Sequence, residues 1–173
     1  VAPTANFSYN PLNPTDLDTI QFTDLSYDLD GSIINWTWNF GDGGISYEQN
    51  PTHQYADDGT YTVTLTVTDD DGTTDTTSQT ITVSNVPPVA DFTYSPSNPT
   101  DLDIISFTDA STDSDGTIVN WTWNFGDGAI SYEQNPTHQY PDDGTYLVNL
   151  TVTDNDGATV STFKPITVSN VPP

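Results

Sequence analysis

Hydrophobic and polar residues alternate with a period of two along most of this chain. Trp36, Trp38 and Phe40 fall on one face while Asn35, Thr37 and Asn39 fall on the other, and Tyr61, Val63, Leu65 and Val67 alternate with four threonines. Alternation of this kind predicts half-buried β-strands. Residues 5–9, 19–23 and 74–83 are further strand candidates, punctuated by turn pairs such as Asp30-Gly31, Asp42-Gly43, Asn50-Pro51, Asp58-Gly59 and Asp71-Gly72. No stretch carries the 3.6-residue stripe of an amphipathic helix.

The pattern repeats. Trp36 recurs as Trp121 and Val1 as Val86, so the unit is 85 residues long, and about 60 positions are identical between the two copies without a gap. The sequence therefore predicts one domain over 1–85 and a second over 86–170, with residues 171–173 repeating the Val-Pro-Pro that opens the second unit and expected to be a linker or the start of a further one. Short strands and frequent turns in units of this size predict an all-β chain of two antiparallel sandwiches, about seven strands each. Trp38 and Trp123 are expected in the cores. Tyr61 and Tyr146, each after Gly-Thr at a strand entry, are placed either for a tyrosine corner or for plain core filling.

Composition narrows what such a chain can do. One basic residue, Lys164, stands against 25 acidic ones, for a net charge of -24. That surface repels nucleic acid and anionic lipid, and its natural complement is a cation. Without cysteine there are no disulfides or thiolate sites. No apolar run is long enough for a membrane-spanning helix, and the lack of an initiating Met or signal segment suggests a processed or excised piece. The acidic composition also fits a saline habitat, although the excess of Asp over Glu favours calcium and tight turns.

Trp-Asn-Phe-Gly-Asp-Gly at 38–43 and 123–128 resembles the Trp-Asp-Phe-Gly-Asp-Gly hallmark of polycystic-kidney-disease (PKD) domains. Asn-Pro-Thr-His-Gln-Tyr, Asp-Gly-Thr-Tyr and a Thr-Val-Thr-Asp run follow in that family's order, so the resemblance covers both units almost end to end. Asn39 and Asn124 depart from the family's Asp, removing a charge while keeping the turn's hydrogen-bonding geometry. The resemblance implies tandem immunoglobulin-like β-sandwiches of extracellular or cell-surface proteins, present in surface layers and adhesins and beside secreted proteases and polysaccharide hydrolases, with no chemistry of their own.

Each unit carries Asp-x-Asp-Gly before its Trp strand, Asp28 and Asp30, then Asp113 and Asp115, and a second acidic loop after the threonine-rich strand, at Asp69 and Asp154. Alternate carboxylates on a turning backbone suit a hard Ca²⁺ ion; they equally suit solvated Asp-Gly turns. The loops resemble the calcium loops of PKD modules in bacterial collagenases. By that similarity Asn85, Asp113, Asp115 and Asp154 would hold a structural Ca²⁺ in the second unit, and Asp28, Asp30 and Asp69 in the first.

Asn6, Asn35, Asn120 and Asn149 each begin an Asn-x-Ser/Thr triplet without a middle Pro and are candidate glycosylation sites. Catalysis finds little footing: one histidine per unit, His53 or His138, reads as a structural hydrogen-bonding group, and no nucleophile elbow or phosphate loop is present. The outward threonines 62, 64, 66 and 68 are ordinary strand surface, with O-glycosylation or sugar binding as a lesser role; Tyr47 and Tyr132 are repeated aromatic candidates for a carbohydrate face.

The expectation that follows is a non-catalytic structural or adhesive repeat, part of a stalk, surface layer or filament, whose partners are neighbouring copies or repeats of itself and surface glycans or proteins. The rival expectation is an accessory module that targets an attached protease or glycosidase to a polymeric substrate.

Overall fold

The computed structural model describes residues 1–171; Pro172 and Pro173, expected to belong to a linker or further repeat, lie outside the described residues. The chain divides into two compact units, Val1–Asn85 and a second that begins at Val86.

In unit 1 the strands are β1 (Phe7–Asn10), β2 (Ile20–Asp24), β3 (Ile33–Asn39), β4 (Ile45–Ser46), β5 (Thr52–His53), β6 (Gly59–Asp69) and β7 (Thr74–Val83). They form two antiparallel sheets, ordered β1-β2-β5 and β4-β3-β6-β7. Unit 2 repeats this with β8 (Phe92–Ser95), β9 (Ile105–Asp109), β10 (Ile118–Asn124), β11 (Ile130–Ser131), β12 (Thr137–His138), β13 (Gly144–Asp154) and β14 (Thr159–Val168), ordered β8-β9-β12 and β11-β10-β13-β14. The two-residue strands β4, β5, β11 and β12 are too short to show a period and were invisible to pattern alone. The strand expected at 5–9 begins later, at Phe7, because Thr4 pairs with Tyr27 and the Ala5 amide donates to Asp75 Oδ2 at 2.8 Å.

Strand β6 shows why the alternation works. Val63, Leu65 and Val67 are fully buried, while the threonines between them face away from the core. Trp38 is also fully buried beside Phe7, Phe22 and Phe40, and its indole N–H donates to the Glu48 carbonyl at 2.9 Å, so burial leaves no polar atom stranded. Each large apolar side chain buried this way contributes about 1.5–3 kcal/mol. The Tyr61 hydroxyl donates to the Asp57 carbonyl, four residues upstream, at 2.9 Å, and Tyr146 repeats the bond to Asp142 at 3.0 Å, which makes both tyrosine corners.

At the hallmark turn, Asn39 Oδ1 accepts the Gly41 amide at 2.9 Å, so the carboxamide makes the turn's hydrogen bond. Gly41 has φ +87°, and a Cβ there would lie 2.7 Å from the Thr62 carbonyl oxygen. Only glycine fits so close to β6.

The outward face of the four-stranded sheet in unit 1 is a ladder of hydroxyls. In register, Thr60 faces Thr82, Thr62 faces Thr80, Thr64 faces Ser78, Thr66 faces Thr76 and Thr68 faces Thr74.

Candidate functional site

The loop between β9 and β10 carries Asp113 and Asp115, and the loop between β13 and β14 begins at Asp154. Asp154 is buried, and its Oδ1 accepts the amides of Asp156 at 3.0 Å and Ala158 at 2.7 Å, which fixes the carboxylate in the loop. Asp115 Oδ2 accepts the Val86 amide at 2.6 Å. Asp113 differs: both its oxygens are shielded from solvent and neither has a close hydrogen-bond donor. Burial raises its pKa, the facing Asp115 carboxyl and the charge of Asp154 push it the same way, and the Asp115 backbone amide opposes them in part. Gly116 lets the loops approach, since a Cβ there would lie 2.2 Å from Asn155 Oδ1 and 3.0 Å from Asp113 Oδ2. Mutually repelling carboxylates are ligands of the type a hard divalent cation takes, but Asp113, Asp115 and Asp154 are not drawn together to the 4.8 Å spacing of a ready-made site.

Unit 1 places Asp28, Asp30 and Asp69 at the equivalent positions with the equivalent backbone partners, and adds one side-chain donor, the Thr73 hydroxyl. Asp30 Oδ2 lies 2.7 Å from the Val1 amino group, and Asp28 Oδ1 is 3.5 Å from the Asp30 amide. Asp69 Oδ1 accepts the Asp71 and Thr73 amides at 3.1 and 2.7 Å, and its Oδ2 accepts a short bond from the Thr73 hydroxyl. The Thr73 hydroxyl is the leading cause that holds the Asp69 pKa below its ordinary value, with the Thr73 and Asp71 amides adding to it against an opposing burial effect. Ala158 replaces Thr73 in unit 2, so the second loop lacks that hydroxyl. Asn85, the remaining expected ligand, is the half-buried last residue of unit 1 and immediately precedes Val86.

Of the sequon asparagines, Asn6, Asn35 and Asn120 are exposed. Asn149 is half-buried, opposite Phe163 in register, and its Oδ1 is shielded without a hydrogen-bond partner. Outward parity alone did not reveal that screening, which depends on the neighbouring strand.

His53 Nε2 sits 2.7 Å from Asp42 Oδ2, and His138 sits 2.7 Å from Asp127. Each imidazole stacks on a phenylalanine of the hallmark turn, Phe40 at 4.1 Å or Phe125 at 4.2 Å. The pairing ties β5 or β12 to the turn and fits a structural role.

A groove of about 410 Å³ opens on unit 1 between Asp24, Tyr27, Trp36 and Gln49. Trp36 is half-buried against the core. Its indole N–H donates to Asp24 Oδ2 at 2.7 Å, and Gln49 Nε2 donates to the same oxygen at 3.1 Å. Tyr27 is about half exposed on the rim, and unit 2 has Thr112 there. The arrangement sets an aromatic wall beside an acid and a carboxamide.

The family profile described as PKD domain matches residues 1–84 and again 85–168. The chain belongs to the PKD domain family. Both PKD units are also similar to part of the pre-pro-metalloprotease PrtV of Vibrio cholerae, with 38% identity over 152 residues, 84% of this chain and 16% of that protein. A microbial collagenase of Vibrio alginolyticus is 39% identical over 87 residues, 50% of this chain and 11% of that enzyme. The chain thus spans about a sixth or less of the length of these relatives. Among solved structures, the PKD1 domain of the Vibrio cholerae metalloprotease PrtV is 41% identical, covering 49% of this chain and all of that one, with a TM-score of 0.45.

Several contacts of these PKD units were missed in sequence: the Asp24 anchor of Trp36, the Asp42 partner of His53, and the Gln79 and Lys164 side chains that donate to the carbonyls of Phe7 and Phe92. The Asp24–Trp36 spacing recurs as Asp109–Trp121, also at 2.7 Å. An acid that recurs at a fixed distance from each tryptophan was the available signal.

Proposed function

We propose that the two PKD modules are non-catalytic accessory modules of an exported protein, which hold an attached partner domain against a polymeric substrate. The observation that carries this is the groove beside Trp36, where Asp24 and Gln49 fix the indole at a surface that Tyr27 extends. A preorganised aromatic wall with a few polar groups suits a bound chain. The similarity to parts of a metalloprotease and a collagenase favours this accessory role over a filament or surface layer.

The same proposal gives Asp113, Asp115 and Asp154 the role of a structural Ca²⁺ site, supported by the solvent-shielded Asp113 carboxylate. Bound Ca²⁺ would neutralise the repulsion between the loops. Asn6, Asn35 and Asn120 are the sequons whose exposure suits glycan attachment.

Cosedimentation of the two-unit chain with collagen fibrils and with insoluble chitin tests the binding role. Retention on either polymer that falls in Trp36→Ala supports it. Failure of the intact chain to be retained on both would overturn it.

A further inference from the structure

Four outward positions of the large sheet form a square of direct neighbours, two on β6 and two on β7. In unit 1 they are Thr62 facing Thr80 and Thr64 facing Ser78. In unit 2 all four differ: Leu147 faces Pro165 and Asn149 faces Phe163. Leu147 is 56% exposed and Phe163 58%. The square has therefore changed from hydroxyls to a mainly apolar patch on the solvent side of an otherwise equivalent fold.

Core packing does not explain the change, because these side chains point away from the core. Edge protection explains Pro165, since β14 is an edge strand and proline offers no N–H to an incoming strand. It does not explain Leu147, which lies on β13 with a strand on either side. The row through Phe163 continues across the sheet as Asn149, Asn124 and Ile130, the last 55% exposed. Its two apolar ends stand three strand spacings apart, about 14 Å, with two carboxamides between them. Hydroxyls of Thr122 and Thr151 form the next row.

Charge selects the partner. No outward position of β10, β11, β13 or β14 is charged, in a chain of net charge -24. A second copy would meet the repulsion of that whole charge, and a basic protein would find no carboxylate on this face to pair with. A neutral polymer with apolar ring faces and many hydroxyls meets neither obstacle, and its two kinds of surface match the apolar ends and the hydroxyl row; the carboxamide oxygens take no part, since Asn124 Oδ1 accepts the Gly126 amide and Asn149 Oδ1 is shielded.

We propose that the outer sheet face of unit 2, centred on Leu147, Phe163 and Pro165, is a contact surface for a neutral polysaccharide. The proposal rests on the polymer-binding role above and adds to it a second surface and a substrate class.

The test uses the two-unit chain with microcrystalline cellulose, chitin and collagen fibrils. The triple variant Leu147→Thr, Phe163→Ser, Pro165→Thr gives unit 2 the residues that unit 1 already carries in the same fold, and circular dichroism confirms that it folds. The expected result is a roughly tenfold loss of affinity for cellulose or chitin, the scale of one well-packed aromatic contact, and a loss of the same fold when the three substitutions are added to Trp36→Ala. The reverse graft, Thr62→Leu, Ser78→Phe, Thr80→Pro, is expected to raise polysaccharide capacity. Polysaccharide binding unchanged by the triple variant overturns the proposal, as does a loss confined to collagen, or patch-dependent self-association in sedimentation equilibrium without polysaccharide binding. Retention that depends on Trp36 but not on the patch removes this proposal alone; no retention on any polymer removes the polymer-binding role with it.

Discussion

The imidazole of His53 is held on two sides at once, by the Asp42 carboxylate 2.7 Å from Nε2 and by the Phe40 ring stacked 4.1 Å away. Asp42 also accepts the Gly44 amide at 2.9 Å, so one carboxylate joins the hallmark turn to β5. Burial raises the Asp42 pKa, but the Gly44 amide and His53 outweigh it and leave the group below its ordinary value. A lowered acid pKa contributes stability above the unfolded value, and that contribution is lost as pH falls through the folded one. Asp42→Asn is expected to destabilise unit 1 by about 1–3 kcal/mol and to flatten the acid limb of its stability curve, as measured by thermal melts between pH 2 and 7.

Asp113 has the opposite sign. Its raised pKa means the folded unit binds this proton more tightly than the unfolded chain, so stability falls as pH rises through the folded value. Asp113→Asn, which resembles the protonated acid, is expected to melt higher than the parent in chelator. In millimolar Ca²⁺ the order should reverse, because the parent gains by binding and the variant gains less. Differential scanning calorimetry with and without Ca²⁺ reads both arms; equal melting temperatures in both would remove the cation role.

The hydroxyl of Thr73 occupies Asp69 Oδ2 in unit 1, and Ala158 leaves unit 2 without that bond. Ala158→Thr is therefore expected to weaken the Ca²⁺ response of unit 2, while Thr73→Ala strengthens that of unit 1. Isothermal titration of each variant measures the exchange.

Two glycines of one turn separate conformational strain from steric contact. Gly41 and Gly43 both have positive φ, +87° and +98°, but a Cβ on Gly43 meets nothing within 4 Å, whereas one on Gly41 meets the Thr62 carbonyl at 2.7 Å. Gly43→Ala should cost about 1–2 kcal/mol from backbone conformation alone, and Gly41→Ala distinctly more. Urea denaturation of the two variants provides the difference.

The strands and cores were legible because β-structure with one wet face writes its burial into alternate positions, as Val63, Leu65 and Val67 show against the threonines between them. Tyr61 was legible through its place after Gly-Thr, although its bond to the Asp57 carbonyl required the folded loop. The acidic loops could be located, yet sequence did not show that Asp113 lacks a close donor while Asp69 is bound by a hydroxyl; that depends on atoms brought together by folding. The groove beside Trp36 was hidden for a related reason: parity assigned Trp36 to the core, and only its half-buried position and its bond to Asp24 show that it also borders solvent.

The square at 62, 64, 78 and 80 bears on how a duplicated gene diversifies. The bonds that set the frame recur in both copies: Trp36 to Asp24 and Trp121 to Asp109, His53 to Asp42 and His138 to Asp127, all at 2.7 Å. Side chains of the square touch none of that wiring, so mutation could replace all four without disturbing either core. Each added copy of such a module thus gives selection a fresh solvent-facing panel on an inherited chassis, and a chain built from near-identical parts can present different surfaces along its length.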